Sequence, residues 1–357
     1  MPADHDIASI EVQERRLGLV APLQTAAGLV RGRQILLFVV HGNDGVTGIG
    51  EAAPLPWAGT EDLHASRRAL DRARSALLDG RPPDLASTPA ASAAVELALL
   101  DLASNRAGRP LCQLLGPQPV ATVGVNALLG GQTRSALADS ARAAVQAGFA
   151  TLKLKVGSLP LAEDLARVAA VASIAGRTAR LRLDANGAWG LEQAQRALDA
   201  FAAHDVELIE QPVPAGPSDV ALLARLRATS QVPIAADESA TSPARVGALV
   251  DAGAIDAVIL KPMRLGGLRP ALLCARLAQG AGVAVVVTSF LGSAVERTAA
   301  LHLAAVIDST GLGARDHGLA TAAWLSTDVG GSPPVVHGRM CVPSTPGLGV
   351  TLSPSSP

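Results

Sequence analysis

From about Thr122 onward, short apolar runs alternate with longer stretches whose apolar residues recur at helical spacing. The short runs are TVGVNAL, ATLKLKV, RLRLDA, VELIEQ, VPIAADE, AIDAVILK, GVAVVVTS and, least regular of the eight, GLGARDHGLAT. Between them lie Ala- and Leu-rich stretches such as TRSALADSARAAVQAG and PLAEDLARVAAVASIAG. Continuous runs such as AVIL and VAVVV suit strands buried on both faces. Eight such strands alternating with helices predict an α/β fold, a (β/α)8-type (modified TIM) barrel.

The first third is ordered differently. IASIEVQERRL and RQILLFVVHGNDGVTGIGEA read as strands, the latter turning at Gly42 to Gly45. TEDLHASRRALDRARSALLDG and PAASAAVELALLDLASNRAG then read as helices, with Gly80 and Gly108 as stop signals. Strands followed by helices predict an α+β capping domain over residues 1–116, with the barrel over 117–325. The closing segment, 326–357, is broken by Pro and Gly; it is expected to return to the capping domain and to end in a mobile tail after about Ser353. The segment APLQTAAGLVRGR is expected to cover the barrel mouth, with Leu23 to Gly28 shaping the pocket.

Composition narrows the partners. With 30 Lys+Arg against 31 Asp+Glu the net charge is −1, which gives no footprint for nucleic acid or an anionic membrane. The absence of Tyr leaves few platforms for stacked bases. Cys112, Cys274 and Cys341 are too few and too widely spaced for a disulfide framework or a thiolate zinc site, and read as reduced apolar residues. The start lacks the basic-then-apolar order of a secretory signal, and no run approaches the ~20 apolar residues of a spanning helix. A cytoplasmic protein with a small-molecule partner is the expectation, and a homo-oligomer stays open.

Charged residues end successive strand-like runs: Lys155, Asp184, Glu210, Asp237 and Lys261, at intervals of 29, 26, 27 and 24 residues. In a barrel these ends converge on one mouth. Lys153 and Lys155 lie two apart on a strand and share a side, so their repulsion is expected to lower the pKa of at least one, as a general base requires. Three carboxylates crowded in a cleft need a cation, and an all-oxygen set suits Mg2+, with Mn2+ as the other candidate. Base, metal and a second lysine around one space serve proton abstraction next to a carboxylate. A Schiff-base aldolase would use one lysine as a nucleophile, and three acids at metal spacing argue against it.

At these residues the chain resembles the enolase superfamily, in its muconate-lactonising branch. KLK, DAN, EQP, ADES and LKP stand in that branch's order, and GIGEAAPLP and VPSTPGLGV resemble its capping domain. The resemblance implies Lys155 as the base, Lys153 as its pKa partner and Lys261 as the lysine of the opposite face. It implies Asp184, Glu210 and Asp237 as Mg2+ ligands, with Asn186 and Glu238 orienting them. GEAAPLP, VNALLGG, LRLDANGAW and GLAT most resemble o-succinylbenzoate synthases, in which Arg182 matches an arginine. That implies Mg2+-dependent dehydration of 2-succinyl-6-hydroxy-2,4-cyclohexadiene-1-carboxylate in menaquinone biosynthesis, a carbon–oxygen lyase reaction. The alternatives are an N-succinyl- or N-acylamino acid racemase, a dipeptide epimerase or a cycloisomerase. Dipeptide epimerases carry an Asp-x-Asp pair for the substrate ammonium where this chain reads GLATAA. SFLGSA is expected to offer Ser289 and backbone N–H groups to a carboxylate, with Gly292 and Gly318 beside the substrate. Asp316 and His317 read as loop residues.

Overall fold

The computed structural model describes residues 7–25, 28–131, 133–311 and 315–353. Strands β1 (Ile7–Thr25), β2 (Gly28–Gly42) and β3 (Thr47–Ala52) form an antiparallel meander. Helices α1 (Leu63–Leu78), α2 (Pro89–Arg106) and α3 (Leu111–Leu115) follow. Ile35 to Val40 are all buried, so β2 carries an unbroken apolar run rather than an alternating one. Gly48 and Gly50 bring β3 against α2: a Cβ at either would collide with the carbonyls of Ala98 and Ala94. Gly80 and Gly108 have positive φ just past α1 and α2, where the chain must leave the helix. The tip of the β1–β2 hairpin, where Leu23 to Gly28 were expected to shape the pocket, lies largely outside the described residues, as does the tail beyond Ser353.

After β4 (Thr122–Gly124), the strands β5 (Ala127–Leu128), β6 (Thr151–Lys155), β7 (Arg180–Asp184), β8 (Val206–Glu210), β9 (Ile234–Ala236), β10 (Ala257–Leu260) and β11 (Ala284–Val287) form a curled parallel sheet in sequence order. Helices α4 (Arg134–Gln146), α5 (Leu161–Ala175), α6 (Leu191–Phe201), α7 (Asp219–Arg227), α8 (Pro243–Asp251), α9 (Pro262–Leu265), α10 (Leu268–Gly280) and α11 (Ala294–Asp308) connect the strands or follow them.

Two of the expected eight strands are reduced. The run TVGVNAL splits: β4 pairs antiparallel with β13 (Arg339–Cys341), which pairs with β12 (Val335–Val336), and only β5 joins the barrel. The segment around His317 gives two single bridges, His317 to Val125 and Gly318 to Thr288, across the gap between the sheet's two ends. Its Gly and polar residues leave little to pack as a longer strand. His317 is instead buried, with Nδ1 accepting from Val287 N and Nε2 3.0 Å from Asp308. The C-terminal segment then reaches the first domain, where Leu348 N donates to Asp101 of α2 and Gly347 bridges Pro110.

The barrel interior has two halves. Leu208, Ala235, Ala257, Ile259, Ala284 and Val286 form a separate apolar cluster from β8 to β11. Opposite lies a polar network in which Glu207 meets Arg180, Arg182 and Arg315, and Asp316 meets Arg180 and Thr151.

Candidate active site

The strand register sets the site. Lys155 pairs with Asp184 and Asp184 with Glu210, so these three ends lie level. A register irregularity between β7 and β8 makes this possible: Leu181 faces Val206, but Arg182 faces Leu208, and the extra residue turns Glu210 toward Asp184. Asn186 and Gln211, just past these ends, adopt left-handed φ of 45° and 40°, strain of the kind concentrated at functional loops.

Lys153 Nζ sits between two carboxylates, 2.9 Å from Asp184 and 2.5 Å from Glu210. Lys261 Nζ donates to Asp237 at 2.6 Å, and Arg264 holds the other Asp237 oxygen at 2.9 Å. Lys155, the most exposed of the three lysines, donates to Asn186 Oδ1 at 2.7 Å, and Asn186 donates to Glu238 at 3.1 Å. All of these groups except Glu210 line one pocket of about 250 Å³ with Leu55, Trp57, Phe290, Leu291, Thr321 and Trp324. Larger concavities, of about 570 Å³ on the β1–β2 hairpin and about 730 Å³ at the opposite end of the barrel, contain none of the lysines.

Burial by itself would lower the Lys153 pKa, but Asp184 and Glu210 outweigh it and hold it raised. Lys153 is therefore not a lysine whose pKa its neighbour lowers: its nearest charges are carboxylates, not Lys155. Burial is also the largest influence on the acids. It pushes Glu210 up to about 7, despite Lys153, with Asp184 and Asp237 adding repulsion. For Asp237, Lys261 and Arg264 overcome burial and lower the carboxyl; for Asp184, Lys153 and Lys155 do the same. Glu238 is raised by burial and by Asp237, and its Oε2 is buried with no hydrogen-bond partner among the described residues.

Among the described residues no three His, Cys, Asp or Glu side chains already converge as a metal cage. Ammonium and guanidinium groups stand against the carboxylates instead. The donor chemistry nevertheless fits a hard divalent ion: Asp184, Glu210 and Asp237 are buried oxygen donors at the ends of adjacent strands, and one Glu238 oxygen beside them is buried with no hydrogen-bond partner among the described residues.

Arg182 is fully buried one tier below the acids, bonded to Glu207 and to Asp316 O, and does not line the pocket. Ser289 does line it, with Oγ 2.9 Å from Thr321 Oγ1. Gly292 and Gly318 do not: a Cβ at Gly292 would meet Glu51 and Glu296, and one at Gly318 would meet Thr288. Sequence reasoning missed Arg264, Trp57, Thr321 and Trp324. Arg264 carried one usable signal, its place three residues after a strand-end lysine on the short helix α9.

No helix among the described residues is long and apolar enough to cross a membrane. Residues 7–116 match the N-terminal domain of mandelate racemase / muconate lactonizing enzyme, and residues 136–356 match the enolase C-terminal domain-like family. A hydrophobic dipeptide epimerase of Enterococcus faecalis is 30% identical over 311 residues, covering 84% of this chain and 87% of that protein. A chloromuconate cycloisomerase of Cupriavidus pinatubonensis is 31% identical over 342 residues, covering 89% and 88%. The solved dipeptide epimerase from Enterococcus faecalis, complexed with Mg and the dipeptide L-Leu-L-Tyr, superposes with a TM-score of 0.86 at 28% identity, covering 97% of this chain and 99% of that one. With both domains matched, the chain is an enzyme of the enolase superfamily and belongs to its mandelate racemase / muconate lactonizing enzyme family.

Proposed function

We propose that this enzyme moves a proton at the carbon α to a carboxylate, racemising or epimerising an N-acylated amino acid. One observation carries the reading. Lys155 and Lys261 rise from the ends of β6 and β10, with three strands between them in the curled sheet, into a single pocket that Asp184 and Asp237 also line.

Asp184, Glu210 and Asp237 would hold Mg2+, which when bound supplies positive charge against the negative charge that builds on the substrate carboxylate. Lys155, oriented by Asn186, takes the α-proton as a neutral amine. As that C–H bond breaks on one face, Lys261 gives a proton to the same carbon from the other, inverting it. Lys153 stays protonated and adds fixed positive charge beside the acids. Arg264 keeps Asp237 in place from below.

The pocket disfavours a free dipeptide. Its described carboxylates, Asp184, Asp237 and Glu238, all belong to the lysine cluster, and the wall around Thr321 and Trp324 has none for a substrate ammonium. A second reading, dehydration to o-succinylbenzoate, draws support from the same uncharged wall and needs only Lys155 as base and then acid. The relatives named above are isomerases rather than lyases, and they favour proton transfer.

Wash-in of deuterium from D2O at the α-carbon of both enantiomers of an N-acylamino acid, abolished by EDTA and restored by Mg2+, is the expected result. Ultraviolet loss of the cyclohexadiene without wash-in would favour the second reading.

A further inference from the structure

Resting on that proton-transfer reading, we infer that the substrate's end remote from the reacting carboxylate is uncharged, because the loop positioned to hold an anion there is already filled by the protein's own carboxylates. The loop is residues 289–293, between β11 and α11. A turn of backbone N–H groups leading into a helix is a ready anion cradle. Here all of those donors but Leu291 N, which has no partner among the described residues, are committed. Ser289 N donates to Gly318 O at 3.1 Å and Phe290 N to Glu296 Oε1 at 3.0 Å. Gly292 N also bonds Glu296, and Ser293 N donates to Glu51 Oε1 at 2.9 Å. The first turn of α11 is satisfied too: Ala294 N donates to Asp328 and Glu296 N to Glu51. Glu51 and Glu296 are buried and occupy these donors, so a substrate carboxylate would have to displace them.

The pocket's cations are equally committed. Lys153, Lys155, Lys261 and Arg264 all contact Asp184, Glu210, Asn186 or Asp237 at the proton-transfer end. Arg33, behind the loop, spends its guanidinium on the carbonyls of Ala53, Pro54 and Leu291. The remaining wall is mainly apolar, with Leu55, Trp57, Leu291 and Trp324 among its residues, and its neutral polar side chains are Thr288, which donates to the carbonyls of Ser289 and Gly318, and the Ser289–Thr321 hydroxyl pair. One hydroxyl proton of that pair lies between the two oxygens, which leaves the other to donate to an acyl carbonyl. The substrate class is an amino acid acylated by a neutral group, not by a dicarboxylic acid.

Three ligands sharing one reacting residue test this: N-acetyl-L-phenylalanine, N-succinyl-L-phenylalanine and L-alanyl-L-phenylalanine, whose N-substituents are neutral, anionic and cationic. With the full chain and Mg2+, kcat/KM for α-deuterium exchange is expected to be at least about tenfold higher for the acetyl compound than for either other. Equal or faster exchange of a charged compound would overturn the inference and leave proton transfer standing. Exchange of none would remove the proton-transfer reading, and calorimetric affinities of the same three would then decide. Tightest binding of the acetyl compound keeps the neutral pocket; tighter binding of a charged one, or binding of none, ends it. Thr321→Lys should shift the kcat/KM ratio toward the succinyl compound; an unchanged ratio counts against the assignment.

Discussion

Of two charge clusters, one lies at the pocket and the other is buried behind its wall, and only the first is built to react. At the barrel mouth, Lys153, Lys155 and Lys261 meet Asp184, Glu210 and Asp237 beside open space. At the seam between the two domains, Arg33, Glu51, Glu296 and Arg297 are buried as deeply, and their pKa values shift as clearly where a shift is resolved: Glu296 rises to about 8 and Arg33 falls to about 10, both chiefly through burial. The partners differ. Seam carboxylates accept from backbone N–H groups that cannot move, whereas mouth carboxylates are held by side-chain cations that a metal or substrate can displace. Burial and perturbed titration therefore do not distinguish an active site from a structural clamp; exchangeable partners do.

The comparison is broken most severely at the mouth. Lys155→Ala should reduce α-proton exchange by about 1,000-fold or more while leaving the far-ultraviolet circular dichroism unchanged. Lys261→Ala should leave one enantiomer able to exchange its proton but abolish interconversion of the two, measured by chiral chromatography. Exchange of both enantiomers by the Lys261 variant would show that the lysines do not serve opposite faces. Glu210→Gln should weaken Mg2+ binding, read by calorimetry, by at least about tenfold, the lower end of what is lost when a group that merely supports a metal ligand is removed.

These positions were legible in sequence for a physical reason. A charged residue ending an apolar run has few places to go except a strand end, so Asp184, Glu210, Asp237 and Lys261 announced themselves. Their partners did not. Spacing put Lys153 on the same side as Lys155 but could not show it turning between two carboxylates, which raise its pKa. The loop at Ser289 displayed its N–H groups in sequence, yet Glu51, which fills one of them, lies 242 residues earlier than Ser293. The same limit applied to the fold. Periodicity found the parallel strands from β6 to β11, but the split of TVGVNAL depends on pairing with β13, a contact across the chain that no local pattern encodes.

At the seam, Arg33 joins two walls of the pocket. Its guanidinium donates to Ala53 and Pro54 on the capping side and to Leu291 on the barrel side, and Leu291 is held at a left-handed φ of 57°. Arg33→Ala leaves three carbonyls and two nearby acids without this cation, and should cost roughly 3 to 5 kcal/mol in denaturant unfolding. It should also raise KM more than it lowers kcat, because the pocket wall moves while Lys155 and Lys261 stay on their strands. A fall in kcat alone would mean that the seam acts on the lysines, and the two clusters would not be separable.

The smallest effect expected is the most discriminating. Glu296 is an acid whose folded pKa, about 8, lies above its ordinary value of 4.5, because burial and then Glu51 disfavour its charge, against Arg297 and the N–H groups of Phe290 and Gly292. Between those values the folded chain keeps a proton that the unfolded chain has released. The stabilisation is therefore complete below about pH 4.5, declines as pH rises toward 8 and is gone above it. Glu296→Gln keeps an oxygen for Phe290 N and Gly292 N but needs no proton, so it should be more stable than the parent at pH 8, with an advantage that shrinks steadily toward pH 5. Thermal unfolding of both proteins at pH 5, 6.5 and 8 reads the difference. Parallel curves would mean that Glu296 is ionised in the fold, so that the seam, like the mouth, stores a charge available to another partner.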